Sequence, residues 1–314
     1  MLAVVCPGQG SQTPSMLEPW LELPATRPFL EELSDASSVD LIAHGTLSDA
    51  DTIRDTAIAQ PLIVATSLLA AQAIFGVDPL AARPSVVAGH SVGEFSAAAL
   101  AGAMSPAQAV GLVAHRARAM ARAAAAEVTG MAAVVGGKPD EVLDAIDAAG
   151  LSAANMNSAG QVVAAGSVEG IEKLVANPPT RARVIPLQVA GAFHTRFMAS
   201  AQDEFREIAA TWPTASPHTP LLSNRDGAAF TGGEHGHGTG SDVVERLVHQ
   251  ITSPVRWDLC QETLGNSGVS GILELAPAGV LTGLAKRSLP GVELFAVKSA
   301  ADVPAALDFV STHA

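Results

Sequence analysis

Residues 85–104, Ser-Val-Val-Ala-Gly-His-Ser-Val-Gly-Glu-Phe-Ser-Ala-Ala-Ala-Leu-Ala-Gly-Ala-Met, decide the fold. Val86 to Ala88 are short, apolar and largely β-branched, the composition of a buried strand end. Phe95 to Leu100 read as a helix of small residues. Between them, Gly89-His90-Ser91-Val92-Gly93 matches G-x-S-x-G, the nucleophile elbow. In that motif the chain turns so sharply from strand to helix that the serine is pushed into a strained, exposed position. A side chain at either glycine would collide with the neighbouring strand or helix. The helix N-terminus behind Ser91 points backbone N–H groups at any negative charge that forms there. The five-residue pattern alone is weak, because glycine and serine are common in this chain, and a glycine-rich turn with an incidental serine is the alternative. The strand before it and the helix after it give the pattern its weight.

The 314 residues suit one large domain, alone or with a small one. Hydrophobic residues make up 48% and charged residues 16%, a globular composition far from disorder. Two cysteines, Cys6 and Cys260, stand far apart, which points to a reducing compartment and away from a disulfide scaffold. Met1 to Gly8 hold a short apolar run without a basic start or a cleavage-like site, so they read as a first strand and not as a signal peptide. The longest apolar tract, Leu62 to Phe75, is interrupted by Thr66, Ser67 and Gln72; it reads as a core helix too short for a bilayer. A soluble, cytoplasmic protein is expected, with no membrane partner. The net charge of −13 disfavours nucleic acid, whose phosphates need a basic surface.

Along the chain, Leu2 to Cys6 is a strand candidate, ended by Pro7-Gly8 and a loop Gln9-Gly10-Ser11-Gln12. Residues 15–60 give helical patches, and Pro61 suits the first turn of a helix over 62–75. Ser105-Pro106-Ala107-Gln108 is a capping box that opens a helix running to about Ala126. From Gly130 the order is strand (131–135), helix (139–149), strands (151–156 and 161–165), helix (168–175) and strand (183–187). That βαββαβ order is the ferredoxin-like pattern. It places a small inserted, independent domain at 128–190, with 1–127 and 191–314 forming the large one. After Gly191-Ala192-Phe193-His194 come a helix at 196–210, a strand end at Leu221 to Asn224 and a helix at 241–251. A strand at 271–275, a helix at 279–288 and a strand at 293–297 close the fold. Strands alternating with helices imply a parallel sheet covered on both faces.

A serine hydroxyl needs an adjacent base to act as a nucleophile. Of nine histidines, His90 neighbours Ser91 in sequence but points elsewhere in an elbow, which makes it structural. His44, His218 and His313 read as solvated. His235 and His237 have an H-x-H spacing, yet only Glu234 stands beside them, so a flexible loop outweighs a metal site. His194 follows a strand and precedes a helix, which puts it at the mouth of the sheet.

Four motifs in order decide among these readings. They are Pro7-Gly8-Gln9-Gly10-Ser11-Gln12, Gly89-His90-Ser91-Val92-Gly93-Glu94, Gly191-Ala192-Phe193-His194-Thr195 and Gln250-Ile251-Thr252-Ser253-Pro254-Val255-Arg256-Trp257. Through them the chain resembles, essentially end to end, the malonyl-CoA:acyl carrier protein transacylase family of fatty-acid and polyketide synthesis, the bacterial type II enzymes included. The resemblance implies a large α/β-hydrolase-like domain with a parallel sheet plus a small inserted ferredoxin-like α+β domain. It implies Ser91 as nucleophile and His194 as general base, with the backbone N–H groups of Gln9 and Val92 as oxyanion hole. The histidine would be held by a backbone carbonyl near Gln250 in a dyad; an acidic third member such as Asp226 or Asp258 is the lesser alternative. Arg116 matches the arginine that pairs with the malonyl carboxylate, whereas Arg118 and Arg122 on the same helix read as solvated. Phe193 matches the residue that goes with malonyl and leaves little room for a branching methyl group. Asn155, Asn157 and Gln161 match a loop that either bonds the pantetheine arm or fixes a turn.

The implied partners are a coenzyme A thioester and an acyl carrier protein, with no cofactor or metal and a monomeric enzyme. Carrier proteins are acidic, so docking would need a local basic patch; Arg181, Arg183, Lys286, Arg287 and Lys298 are the candidates. A serine hydrolase would use the same elbow, but it usually has an acid between nucleophile and histidine and a Gly-rich oxyanion motif. An inactive acyltransferase-like binding domain would lack Ser91, His194 or Arg116, and all three are present.

Overall fold

The computed structural model describes residues 1–76, 84–231 and 238–314. Among the described residues ten strands fall into two sheets: β1 (Leu2–Cys6), β2 (Val86–Gly89), β3 (Thr129–Gly136), β4 (Ser152–Ser158), β5 (Gln161–Ser167), β6 (Ala182–Pro186), β7 (Leu221–Leu222), β8 (Ala229–Phe230), β9 (Gly271–Glu274) and β10 (Glu293–Ala296). The larger sheet has the order β10-β9-β1-β2-β7-β8. All its pairs are parallel except β7 with β8.

Both faces of this sheet are buried, and the alternation of side chains in β1 shows how. Leu2, Val4 and Cys6 belong to one apolar cluster, and Ala3 and Val5 to the other. A strand with two apolar faces reads as an unbroken hydrophobic run, as Leu2 to Cys6 does. The helix Thr56–Phe75 is buried on one side of this sheet. It begins six residues before the expected Leu62, because the Asp55 carboxylate accepts from Ala57 N at 2.7 Å and caps it. Pro61 therefore lies inside the helix and not in its first turn. By length and composition this helix is long and apolar enough to cross a membrane, but 78% of its apolar window is buried inside the protein. Packing, not length, marks it as a core helix.

The second sheet is antiparallel, with the order β4-β5-β3-β6, and carries the helices Pro139–Ala148 and Val168–Ala176 in βαββαβ succession. One face of it packs on those helices through Ala132, Val134, Val142, Ile146, Ile171 and Leu174. The other face supplies Met131, Ala154, Val163 and Ala165 to the core of the large sheet. The small layer thus has a core of its own on one face and joins the core of the large sheet on the other. Val255 N donates to Ala154 O and Met156 N to Val255 O, both at 2.9 Å, which ties the 250–257 segment to β4.

Two further features differ from the sequence reading. The chain does not close on β10; a helix Val303–His313 follows it. His313 on that helix is buried, lies 4.5 Å ring to ring from Phe309 and bonds Ser270 Oγ at 3.0 Å. The 234–240 loop reading, with His235 and His237, lies outside the described residues except for its last three positions.

The elbow holds because β1 and β2 lie side by side, with Cys6 opposite Gly89. A Cβ at Gly93 would stand 2.2 Å from Cys6 O, and one at Gly89 would stand 2.0 Å from the Gly93 carbonyl carbon. Both obstacles are backbone and cannot move aside. Gly283, inside the helix Val280–Ser288, meets nothing within 4 Å. Gly93→Ala should therefore lower the thermal midpoint by several degrees, on the scale of about 1–3 kcal/mol for overpacking. Gly283→Ala should raise it by up to about 1 kcal/mol of helix propensity. Thermal unfolding followed by circular dichroism checks both, and a Gly93→Ala protein as stable as the parent would contradict the elbow packing.

Candidate active site

Ser91 sits at the end of β2 with φ 52°, a left-handed conformation that a serine adopts only when its surroundings impose it. Asn224, just past β7, imposes it from both sides of the turn. Its Oδ1 accepts from Ser91 N, and its Nδ2 donates to Gly89 O, each at 2.7 Å. The Ser91 N–H is thereby committed to Asn224 and is not a donor to anything bound in front of the serine.

His194 lies eight residues beyond the end of β6, in an irregular segment, with φ 62°. The strand ends well before it, close to where the sequence reading places the strand end. That segment is held by Ala192 N donating to Thr129 Oγ1 at 2.8 Å and Thr195 Oγ1 to Ala192 O at 2.6 Å. His194 Nε2 stands 2.8 Å from Ser91 Oγ, and its Nδ1 stands 2.8 Å from the backbone oxygen of Gln250. A carbonyl oxygen only accepts, so Nδ1 carries the proton and Nε2 is the bare nitrogen facing the serine. Burial, then the nearby Arg116 charge, lowers the His194 pKa to about 3, so the ring is neutral at physiological pH. Asp226 pairs with Arg246 and Asp258 with Arg256; neither reaches the histidine.

Arg116 lies on the helix Pro106–Ala126 and is 1% exposed. Its Nη1 donates to Gln60 Oε1 at 2.7 Å and its Nη2 to Gln250 Oε1 at 2.8 Å. The same Nη2 stands 3.3 Å from Ser91 Oγ, and Nε has no hydrogen-bond partner among the described residues. Burial lowers its pKa to about 10, partly offset by the charge of Glu94, so the guanidinium remains protonated. Arg118 and Arg122 point elsewhere: Arg118 donates to Ser37 O, and Arg122 pairs with Glu204.

These groups line a cavity of about 380 Å³ that opens on one side of the elbow. Gln9 and Val92 line it beside Ser91, as do Phe193, Asn155, Asn157 and Gln161. Its roof is the inner face of the small sheet, and Val280, Leu281 and Leu284 form part of its wall. Asn157 Oδ1 lies 2.8 Å from His90 Nε2, which links the small sheet to the elbow. The five basic docking candidates lie on three segments. Lys286 and Arg287 end the helix Val280–Ser288, Lys298 follows β10 near Gly279, and Arg181 and Arg183 lie at or beside the edge strand β6.

Three residues with direct roles in this geometry are given no role by the sequence reading. Gln60 is a buried amide in an apolar helix, Glu94 is the residue after the elbow glycine and closes the quoted motif, and Asn224 lies two residues past a two-residue strand. Polarity at positions that the surrounding pattern marks as buried was the one available signal. Among the described residues no group of three or more His, Cys, Asp or Glu side chains could hold a metal ion.

A serine–histidine pair beside a buried guanidinium is acyl-transfer geometry, and the comparisons agree with it. The sequence profile of the family described as "Acyl transferase domain" matches residues 3–302. A Mycobacterium tuberculosis protein called malonyl CoA-acyl carrier protein transacylase is 50% identical over 303 residues, covering 96% of this chain and 98% of its own. The Escherichia coli protein of that name is 32% identical over 318 residues, with 98% of each chain covered. The crystal structure titled MCAT from Mycobacterium tuberculosis superposes with a TM-score of 0.92 at 49% identity, covering 98% of this chain and 99% of that one. The chain belongs to the acyl transferase domain family.

Proposed function

We propose that this protein moves a malonyl group from malonyl-CoA to Ser91 and from there to the phosphopantetheine thiol of an acyl carrier protein. It would do so in the cytoplasm, as a monomer, supplying extender units for fatty-acid or polyketide synthesis. The observation that carries the reading is the buried Arg116 guanidinium 3.3 Å from Ser91 Oγ with one N–H unpartnered. A buried cation beside the nucleophile favours an acyl group that brings a free carboxylate, and a guanidinium suits a carboxylate in charge and shape.

The steps follow from the geometry. Ser91 Oγ gives its proton to His194 Nε2 as it attacks the thioester carbonyl. The oxyanion is received by the backbone N–H groups of Gln9 and Val92, since that of Ser91 is engaged by Asn224. The tetrahedral centre collapses, the carbon–sulfur bond breaks, and the imidazolium returns the proton to the departing thiolate. The carrier thiol then enters, loses its proton to His194 and attacks the malonyl-serine ester; the proton finally returns to Ser91. Arg116 helps to keep the His194 pKa low in the empty site. A bound carboxylate offsets that charge, so the base gains proton affinity when a malonyl group arrives. Acetyl groups leave the guanidinium unpaired, and Phe193, 7% exposed on the cavity wall, crowds a branching methyl. No cofactor enters these steps, because the acyl group exchanges between thioesters of similar energy.

Incubation with malonyl-CoA should add one malonyl mass to the peptide bearing Ser91, and a carrier-protein chase should remove it to the carrier. No adduct would contradict the mechanism, and release to water alone would favour a hydrolase. Arg116→Ala should slow malonyl acylation by roughly ten- to a hundredfold, the scale of lost charged hydrogen bonds, and narrow the malonyl-to-acetyl ratio. An unchanged ratio would contradict the clamp. His194 works only unprotonated, so activity is kept above its pKa and lost below it. With that pKa lowered to about 3, the acid limb of kcat/KM should lie well below 6.5, the ordinary value for histidine. A limb at 6.5 or above would contradict the buried, neutral base.

A further inference from the structure

We propose that Glu94 is a positioning residue that sets Arg116 and His194 together through a single shared side chain, Gln250. The proposal rests on the acyl-transfer reading above and assigns a role that neither the elbow motif nor the dyad requires.

Glu94 is the second residue of the elbow helix Gly93–Leu100 and is 5% exposed. Its Oε1 accepts from Asn224 N at 2.7 Å, and its Oε2 accepts from Gln250 Nε2. Both oxygens thus serve as acceptors, which is the work of a carboxylate. Burial pushes its pKa up, and the Asn224 N–H and the charges of Arg116 and Arg246 pull it back down. Packing alone does not call for a carboxylate in such a place, since a neutral side chain fills the same volume at lower cost. What uses the charge is the guanidinium. Glu94 is the carboxylate whose charge acts on Arg116, and Gln250 lies between them.

The Gln250 amide can adopt only one orientation there. Its oxygen must face Arg116 Nη2, because arginine only donates, and its nitrogen must then face Glu94. Turning the amide over would set N–H against guanidinium and oxygen against carboxylate. With the side chain locked at both ends, the backbone oxygen of the same residue receives His194 Nδ1 at 2.8 Å. Glu94 also fixes Asn224, whose side chain holds the Ser91 N–H. One buried carboxylate therefore reaches clamp, base and nucleophile, each through one intermediate residue.

The test compares Ser91 acylation by malonyl-CoA and acetyl-CoA in Glu94→Gln, with rates taken well below the variant's melting temperature and scaled to the fraction of protein that is folded. The substituted amide keeps the shape but offers one oxygen to two donors, so Gln250 loses its anchor. The malonyl rate should fall at least about tenfold more than the acetyl rate, the upper part of the range for coupling within one hydrogen-bonded network, with KM for malonyl-CoA raised. Glu94→Asp should recover part of the ratio, which a purely structural role would not give. Combined with Arg116→Ala, the extra malonyl loss should vanish. Should Glu94→Gln fail to fold, Gln250→Met cuts the bridge while leaving the backbone oxygen for His194, and it should lower the same ratio. Equal losses for both thioesters, or a malonyl loss undiminished in the Arg116→Ala background, would overturn the proposal. If the parent protein takes no malonyl group at all, the acyl-transfer reading fails and this one with it; a parent that is acylated with an unchanged ratio in the variants sinks the Glu94 role alone.

Discussion

A guanidinium buried to 1% exposure, 3.3 Å from the serine hydroxyl, is the constraint to which the rest of the site answers. Taking such a charge out of water costs several kcal/mol unless hydrogen bonds and a counter-charge compensate it. Gln60 and Gln250 supply acceptors, Glu94 supplies the charge one residue away, and one N–H remains unpartnered among the described residues. The same positive charge, together with burial, keeps His194 neutral. One buried ion therefore bears both on the hydroxyl of Ser91 and on the proton affinity of His194.

The fold serves this arrangement by bringing distant segments to one point. The parallel sheet aligns β1 with β2, so that the loop after Cys6 lies beside the elbow. The small sheet closes over it with the apolar face that joins the main core, and Val255 bonds β4 at Ala154 and at Met156, the residue before Asn157. Gln250 begins the segment that carries Val255, which couples the seating of the small sheet to the residue that holds both Arg116 and His194. This roof and the wall of Leu281 and Leu284 line the cavity in which the serine stands.

Much of this was legible in the chain. Strand and helix around Gly89 to Gly93 announce themselves by composition, and the βαββαβ order by its spacing. Ser91, His194 and Arg116 could be named because each lies in a motif that a resemblance reaches. Gln60 and Asn224 lie in none, and Glu94 closes the elbow motif without a role that the motif assigns, because what defines all three is a partner 56, 133 and 156 positions away in sequence. No periodicity records such a contact. The early start of the helix Thr56–Phe75 was hidden because Pro61 is a stronger local signal than the Asp55 cap. The burial of His313 was hidden for the same kind of reason, since a histidine near a chain end looks solvated until its helix is docked.

The central claim is that Arg116 recognises the negative charge of the acyl group and not its size. The thioester of malonamic acid, in which an uncharged amide replaces the carboxylate at nearly the same volume, tests this most directly. Rapid-quench measurement of Ser91 acylation should find this amide at least about tenfold slower than malonyl-CoA, as expected for losing a charged hydrogen-bonded pair in a buried site. The two rates should converge in Arg116→Ala. Equal rates for amide and carboxylate in the unaltered protein would contradict the account.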